Sequence, residues 1–291
     1  MILVVGATGQ LGGLIARKLL DNGQQVRILV RPGSAYEQLV SAGAQPSTGD
    51  LKDTQSLVAA CDGVDAVVTT ANSVSRRGED TVASVDDAGN AKLIEAAAAA
   101  GVRHFVFTSA LGADPEHPIP FLRAKGQTEQ RLPTSGMGWT VLQPNLFMDT
   151  WIPAVVGGPA LAGQPVMLIG DGRRQHSMVA ARDVASYAVA AIERPEAQGQ
   201  TLYLGGPQPV SLRDVIGAFE QELGHEVQVR TIEPGEPVPG LPEVIAPVLA
   251  ALDTYDSPLD MTELSSTYGV RPTTLADFVD GFVTNSRQQV G

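Results

Sequence analysis

Cysteine, lysine, aromatic residues and long apolar runs are all scarce in this chain of 291 residues. The single cysteine, Cys61, excludes an intrachain disulfide and a cysteine-rich zinc site. No spacing of His, Asp and Glu suggests another metal site. No apolar run reaches the roughly 18 residues that a membrane helix needs, and the opening MILVVG lacks the basic start of a secretory signal. We therefore expect a soluble cytoplasmic protein that binds neither metal nor membrane.

The charge balance points away from nucleic acid. The chain has 20 basic and 32 acidic residues, a net charge of −12. A surface of this sign repels phosphate backbones, so we expect no nucleic-acid partner. Hydrophobic residues make up 43% of the chain, which is typical of a globular protein. With only four lysines, a lysine in a motif position carries more information than usual.

The first half of the sequence alternates between apolar runs and helical patterns. The runs predict buried strands at 2–5, 25–30, 44–48, 65–70, 102–109 and 139–144. The intervening patterns predict helices at 10–22, 34–42, 53–60, 80–100 and 119–132. This order predicts an α/β fold with a doubly wound parallel sheet.

The alternation breaks after Pro144. Many Gly and Pro residues make 145–175 look irregular, and a Pro/Gly loop is predicted at 234–243. Further elements are predicted as helices at 183–193, 211–223 and 274–286, strands at 201–204 and 227–232, and an apolar helix after the loop. We interpret residues 1–144 as a nucleotide-binding domain and 145–291 as a smaller, mixed substrate lobe with segments that return to the sheet.

A glycine-rich loop joins the first strand to the first helix. Its residues are Gly6, Ala7, Thr8, Gly9, Gln10, Leu11 and Gly12. Glycines at this spacing let the backbone approach a pyrophosphate, and the following helix directs free N–H groups and the positive end of its dipole at it. A tight turn without a ligand is the alternative. The flanking strand and helix favour a dinucleotide site.

The Gly-x-x-Gly-x-x-Gly spacing resembles the atypical branches of the short-chain dehydrogenase/reductase superfamily. The chain is particularly similar to NmrA-like proteins, which include quinone reductases and triphenylmethane-dye reductases. The resemblance rests on GATGQLG at 6–12, LVR at 29–31, GDL at 49–51, TSALGAD at 108–114, Lys125, LQPNLF at 142–147 and RPTTLADFV at 271–279. It implies a Rossmann-type fold and an NAD(P)H-dependent oxidoreductase.

The tip of the second strand bears on cofactor choice. An acidic residue there would select NAD, but the chain has Arg31, which offers a fork of donors to a 2′-phosphate. We see no acidic residue at this strand tip, so NADPH is favoured and NADH is also possible. A solvated surface arginine is the alternative for Arg31.

Further cofactor contacts are assigned along the same edge of the sheet. The resemblance places Asp50 and Leu51 against the adenine, although chemistry alone allows Asp50 to be a helix N-cap. Thr70, Ala71 and Asn72 are expected beside the pyrophosphate and ribose. Pro144 and Asn145 join the cofactor site by resemblance.

The catalytic positions depart from those of typical short-chain reductases. Such enzymes pair a serine with Tyr-x-x-x-Lys, in which the tyrosine donates a proton to a carbonyl. Here Ser109 takes the serine place and Lys125 the lysine place, but Phe121 replaces the tyrosine. We expect Lys125 to bind the nicotinamide ribose. An exposed lysine and a serine that only caps a strand are the alternatives.

Without a tyrosine, the substrate should need little help from a proton donor. A quinone or a related conjugated aromatic compound, such as a polycyclic natural product, meets this requirement because its reduced form delocalises charge. Candidate walls for a small aromatic substrate are Phe121, Phe147, Met148, Trp151 and His176, the last also as a proton donor. Phe147 and Trp151 could instead be core residues.

Two alternatives remain open from the sequence. One is reduction of a simple ketone or enone. The other is an NmrA-like regulator that senses NAD(P) and binds a protein partner without turnover. The missing tyrosine favours the regulator and the retained Lys125 favours the enzyme. The sequence leaves open whether the protein is a monomer or a homodimer.

Overall fold

The computed structural model describes residues 1–74, 79–233, 236 and 245–290. They form two compact units. Unit 1 comprises Met1–Pro144 and Ala181–Tyr203, and unit 2 comprises Asn145–Ala180 and Leu204–Gly291. Most of the predicted loop at 234–243 lies outside the described residues.

Unit 1 is built on a seven-stranded parallel sheet with strand order β3-β2-β1-β4-β5-β6-β8. Its strands are β1 (Ile2–Val5), β2 (Val26–Val30), β3 (Gln45–Thr48), β4 (Ala66–Thr69), β5 (His104–Thr108), β6 (Gly138–Pro144) and β8 (Gln200–Leu204). Strand order reverses between β1 and β4, where Val5 is paired with Thr69. The predicted Rossmann-type α/β fold is confirmed.

The helices of unit 1 form two groups around this sheet. They are α1 (Gln10–Asp21), α2 (Glu37–Ser41), α3 (Thr54–Cys61), α4 (Ala88–Ala99), α5 (Pro120–Arg131) and α8 (Ala181–Glu193). In one group, helix α8 packs against α1. In the other, α3 packs against α4, and α4 packs against α5. Alternate strand residues such as Leu3, Val67 and Phe105 are buried with α3 and α4, as the two-residue period of a strand requires.

One segment of unit 1 differs from its predicted form. A single helix was expected over 80–100, but Val82–Asp87 is a π-helix that leads into α4. Thr81 caps it through a capping box with Ser84. Single-turn π segments interrupt the usual hydrogen-bond ladder and are common at functional sites. The sequence pattern does not distinguish them from an α-helix.

Unit 2 is more regular than its sequence indicates. The prediction of an irregular 145–175 is wrong, because this stretch folds into two short helices around a π-helical segment, followed by a strand. Its elements are α6 (Met148–Ile152), α7 (Gly158–Leu161), β7 (Val166–Ile169), α9 (Leu212–Leu223), β9 (Val229–Ile232), α10 (Ile245–Leu252), α11 (Thr262–Tyr268) and α12 (Leu275–Val290). Strands β7 and β9 form a separate parallel pair.

The described ranges contain neither a membrane-length apolar helix nor a metal-binding cluster. No helix among them is long and apolar enough to cross a membrane. They also hold no group of three or more His, Cys, Asp or Glu side chains arranged to bind a metal ion.

Candidate functional site

The glycine loop of unit 1 is held by backbone-to-backbone packing. Gly6 has φ +89°, and a Cβ atom there would lie 2.6 Å from Thr70 Oγ1. A Cβ atom on Gly12 would lie 2.2 Å from the Gly6 carbonyl oxygen. Glycine is required at Gly6 because L side chains rarely adopt this positive φ and because a Cβ would also lie 3.0 Å from the Ala71 backbone nitrogen. It is required at Gly12 because the contact there is with backbone.

Helix α1 begins at Gln10, within the glycine-rich stretch, and lacks a side-chain cap. Its N-cap is Gly9, which has no side chain to bond to the first turn. Thr8, Gly9 and Gln10 are exposed and Leu11 is half-buried. An N-terminus with this composition directs its backbone N–H groups and positive dipole end outward, which suits a pyrophosphate.

The end of β4 lies beside the loop. Thr70 N donates to the Val5 carbonyl at 3.0 Å, which continues the β1–β4 pairing. Ala71 is buried, and the Asn72 side chain bridges its neighbours by donating to Thr70 O and accepting from Val74 N. The structure therefore brings Gly6, Gly12 and the predicted residues 70–72 together.

Arg31 lies at the tip of β2, as predicted, but it has an acidic partner. Its Nη1 donates to Asp80 Oδ2 at 2.9 Å, and Lys52 Nζ donates to Asp80 Oδ1 at 2.6 Å. The expectation that no carboxylate lies at this strand tip is wrong. The sequence conceals Asp80 because it lies 49 residues from Arg31.

The GDL stretch follows β3 and turns sharply. Asp50 Oδ1 accepts from Lys52 N at 2.8 Å, so its carboxylate closes a local turn. The N-cap of α3 is Asp53, which excludes the alternative that Asp50 caps this helix. Leu51 is 1% exposed, so its side chain is packed into the core.

Lys125 is buried in unit 1, which excludes the alternative of an exposed helix lysine. It is 1% exposed, and its Nζ donates to the Thr108 carbonyl at 2.9 Å. The ammonium lies 4.8 Å from the centre of the Phe107 ring and 5.4 Å from that of Phe121. Burial lowers the pKa of Lys125 to about 8, while the charges of Asp86 and Glu129 act in the opposite direction.

Ser109 and Glu129 form a second polar group near Lys125. Ser109 Oγ donates to Glu129 Oε1, and Gln143 Nε2 donates to both carboxylate oxygens at 2.9 and 3.0 Å. Burial raises the pKa of Glu129 against the lowering effects of Ser109, Gln143 and Lys125. Ser109 therefore has a defined side-chain partner, which argues against a purely local strand-end cap.

Two buried oxygens near Lys125 lack partners. Asp86 Oδ2 accepts from Ser73 N at 3.0 Å, but Asp86 Oδ1 has no hydrogen-bond partner among the described residues. Thr108 Oγ1 likewise has no hydrogen-bond partner among the described residues. Buried polar atoms without partners are costly, and a ligand that reached these two would supply the missing hydrogen bonds. With the glycine loop and the uncapped helix, they make unit 1 chemically suited to a dinucleotide.

Pro144 and Asn145 lie at the end of β6 in different units. The Pro144 carbonyl accepts from Leu111 N at 3.0 Å within unit 1. In unit 2, the Asn145 side chain donates to Ser257 O at 2.9 Å and accepts from Leu146 N at 2.8 Å. Asn145 is thus largely engaged within its own unit.

Three of the predicted substrate walls, Phe147, Met148 and Trp151, lie in unit 2 and are buried or half-buried. Met148 is 1% exposed and belongs to the hydrophobic core, together with half-buried Trp151. Phe147 is half-buried next to Val179. Met148 is therefore a packing residue.

His176 is also engaged, through both ring nitrogens. Nε2 faces the Leu252 carbonyl at 3.1 Å and Nδ1 faces Ser257 Oγ at 2.7 Å. A carbonyl only accepts, so Nε2 carries the proton. Burial lowers the pKa of His176, which favours the neutral ring. The predicted role as a proton donor to substrate therefore lacks an available N–H.

A small cavity in unit 2 is bounded by Trp151, His176, Met178, Leu249 and Leu252, among others. Its volume of about 30 Å³ suits a water molecule. A cavity that holds benzene is about 150 Å³. An aromatic substrate does not fit there unless the lining moves.

Sequence reasoning missed Asp80, Asp86, Glu129 and Gln143. Glu129 had a usable signal, because it lies four residues after Lys125 and hence on the same helix face. Asp86 had none, since its position depends on the π-helix. Gly126 was also missed. A Cβ there would lie 2.3 Å from the Asp114 backbone, so this glycine lets the 109–119 loop lie against α5.

Comparison with known families agrees with this geometry. Residues 6–195 match the NAD(P)H-binding family NAD_binding_10. The chain belongs to this family. The match begins at the first glycine of the loop and includes Arg31, Ser109 and Lys125.

Individual relatives and solved structures show which named proteins the chain is similar to. The chain is 35% identical over 228 residues to an NAD(P)H azoreductase of Xenophilus azovorans, covering 78% of this chain and 76% of the relative. It is 32% identical over 232 residues to photosystem II assembly factor Ycf39 of Trieres chinensis, covering 79% and 72%. The structure of the NADPH-dependent quinone oxidoreductase QOR2 of Escherichia coli with NADPH aligns with a TM-score of 0.81 at 25% identity, over 97% of this chain and 100% of that one.

These findings confirm the resemblance to NmrA-like reductases and the predicted NAD(P)H cofactor. The protein is an NAD(P)H-dependent oxidoreductase related to quinone and dye reductases. Its substrate is a separate question.

The first prediction concerns the glycine loop. Gly12→Ala should destabilise the protein by about 1–3 kcal/mol, the usual cost of overpacking, and abolish NADPH binding, because its Cβ meets the Gly6 carbonyl. Thermal unfolding and NADPH titration would measure both effects. Gly217→Ala is the control, since a Cβ there has no neighbour within 4 Å. Normal NADPH binding by the Gly12 variant would contradict the prediction.

The second prediction concerns Arg31. Arg31→Ala should weaken NADPH binding by about 1.5–3 kcal/mol, the range for a charged hydrogen bond, and leave NADH nearly unchanged. Dissociation constants for both cofactors test this, with the exposed Arg17→Ala as control. Equal losses for NADPH and NADH would remove Arg31 from contact with the 2′-phosphate.

The third prediction uses the pKa of Lys125. That pKa is lowered to about 8 from 10.5, so between these values the unfolded chain binds more protons and stability rises with pH. Lys125→Met cannot titrate. The free energy of unfolding of the wild type, minus that of the variant, should therefore increase by up to about 3 kcal/mol from pH 7 to 10.5. Denaturant titrations across this range provide the measurement, and a constant difference would show that Lys125 is not buried as a perturbed amine.

Proposed function

We propose that the protein uses NADPH, and with lower preference NADH, to reduce quinones or related conjugated aromatic compounds. The observation that carries this proposal is the position of Phe121. Its ring lies 5.4 Å from the Lys125 ammonium, on the helix face where a short-chain reductase would present a tyrosine. Phenylalanine has no proton to donate. The substrate must therefore accept a hydride without that help.

Lys125 is proposed to position the cofactor. Its Nζ is held by the Thr108 carbonyl and flanked by two aromatic rings, so its remaining N–H groups have a restricted direction. We assign those N–H groups to the nicotinamide ribose hydroxyls. The nicotinamide, when bound, supplies the hydride. Fixing the ribose orients the ring, which is the contribution that a positioning group makes to such a transfer.

The pyrophosphate is assigned to the glycine loop and the N-terminus of α1. The exposed residues 8–10 offer backbone N–H groups, and Gly9 and Gly12 add no side-chain bulk. Arg31 and Lys52 form the only arginine–lysine pair bridged by one carboxylate in the ion pairs of the described residues. We assign that pair to the adenosine end, with the 2′-phosphate as its ligand.

Charge delocalisation explains the preferred substrate. Hydride addition to a quinone gives a phenolate whose charge spreads over a ring, whereas a simple ketone gives an alkoxide that must be protonated as it forms. Ser109 is proposed to contact the substrate oxygen only when Glu129 is protonated. While Glu129 is ionised, the single hydroxyl proton of Ser109 is donated to that carboxylate, so Ser109 then has no proton to offer the substrate.

The substrate prediction follows from this difference. Steady-state loss of NADPH absorbance should be faster with quinones than with unactivated ketones by about 10²–10⁴-fold, the usual contribution of general acid catalysis. Phe121→Tyr should raise ketone turnover more than quinone turnover, and Phe121→Leu serves as a control without a hydroxyl. Efficient reduction of an isolated aliphatic ketone by the wild type would overturn the proposal.

A regulatory function is the second candidate. Its support is the 32% identity to a protein named as a photosystem II assembly factor. A regulator of this kind would bind NADPH and oxidise none of it. NADPH binding without oxidation across quinones, azo compounds and ketones would favour this candidate over the reductase.

A further inference from the structure

Asp80 bridges two cations on the cofactor side of unit 1. One carboxylate oxygen accepts from Arg31 Nη1 at 2.9 Å and the other accepts from Lys52 Nζ at 2.6 Å. The Asp80 side chain is only 5% exposed, whereas those of Arg31 and Lys52 are 44% and 40% exposed. The anion is thus nearly buried, whereas the two cations that it joins remain close to half-exposed.

The location of Arg31, Lys52 and Asp80 in the sheet indicates which part of a ligand they contact. Arg31 follows β2 and Lys52 follows β3, and these neighbouring strands are parallel. Ligands of open parallel sheets bind beyond the carboxyl ends of the strands, and the adenine ribose of a dinucleotide lies beyond the second strand. An anion held between an arginine and a lysine at this place has the charge pattern of a bound ribose phosphate.

We propose that Asp80 is an internal counter-anion that competes with the cofactor's 2′-phosphate for Arg31 and Lys52, and thereby reduces the preference for NADPH over NADH. The inference rests on the proposed assignment of this cation pair to the adenosine end. A phosphate that reaches the pair must displace the carboxylate or lie beside it. Either arrangement weakens the binding of the phosphate dianion. A 2′-hydroxyl carries no charge, so Asp80 does not weaken its binding.

Other acidic groups near Lys52 add to the competition with the 2′-phosphate. The hydrogen bond to Asp80 raises the pKa of Lys52, with smaller contributions from the charges of Asp50 and Glu79, so Lys52 stays protonated at neutral pH. Lys52 therefore has three acidic neighbours. Asp80 alone contacts both cations directly among the described ion pairs. It is the residue whose removal should change phosphate affinity most.

The test uses two fragments of the cofactor. Adenosine 2′,5′-bisphosphate and 5′-AMP differ by the 2′-phosphate alone, and neither requires turnover. Isothermal titration of the wild type, Asp80→Asn and Asp80→Glu would give their affinities. Asp80→Asn should bind the bisphosphate about tenfold more tightly and 5′-AMP nearly unchanged, because one charge near a surface ion site is worth about a factor of this size. Asp80→Glu, which keeps the charge, should remain near the wild type.

A matched control checks for a net-charge effect. Asp21→Asn changes the total charge equally, but Asp21 is exposed at the other end of α1, about 18 Å along the helix from its N-terminus. It should leave both affinities unchanged. Thermal unfolding of every variant verifies that the protein remains folded, and Asp80→Ala provides a second neutral replacement if the asparagine variant unfolds.

The outcomes separate this inference from the proposed function. Unchanged or weaker bisphosphate binding by the folded Asp80→Asn and Asp80→Ala variants would overturn the role of Asp80. Lack of discrimination between the bisphosphate and 5′-AMP by every variant would overturn both that role and the assignment of the 2′-phosphate. Absence of substrate reduction, with the predicted fragment affinities intact, would overturn only the proposed reductase activity.

Discussion

Burial of the Lys125 ammonium is the constraint on which the candidate site depends. A charged amine that is 1% exposed needs replacements for water, and unit 1 supplies the Thr108 carbonyl, two aromatic faces and two nearby carboxylates. These groups come from β5, α5 and the π-helical turn. Their positions are therefore coupled, since displacing any one of the three elements would leave the charge uncompensated.

The two ends of the proposed cofactor site hold positive charge in different surroundings. Around Lys125 a single cation is enclosed, so its pKa falls and its contacts are fixed. At Arg31 and Lys52 the cations remain half in water and share the carboxylate of Asp80. Exposed pairs of this kind add little to stability, because water screens them. Arg31 and Lys52 therefore matter more for the choice of bound anion than for stability.

The sequence predicts the sheet better than the cluster around the site. Parallel strands are buried on both faces, so their apolar runs are visible, and the glycine loop has a spacing fixed by backbone contact. Asp80 and Asp86 could not be found this way, because their partners come from distant segments and, for Asp86, from a π-helix. The folded segment at 145–175 was missed because its Gly and Pro residues also suit irregular chain.

Neither the family nor the fold decides the chemistry at Phe121. Relatives named as an azoreductase and as an assembly factor are 35% and 32% identical to this chain over the aligned residues. A glycine loop suits either kind of protein, since pyrophosphate binding depends on backbone geometry. We propose that a delocalised acceptor removes the need for a phenolic proton, which makes a phenylalanine at position 121 compatible with catalysis.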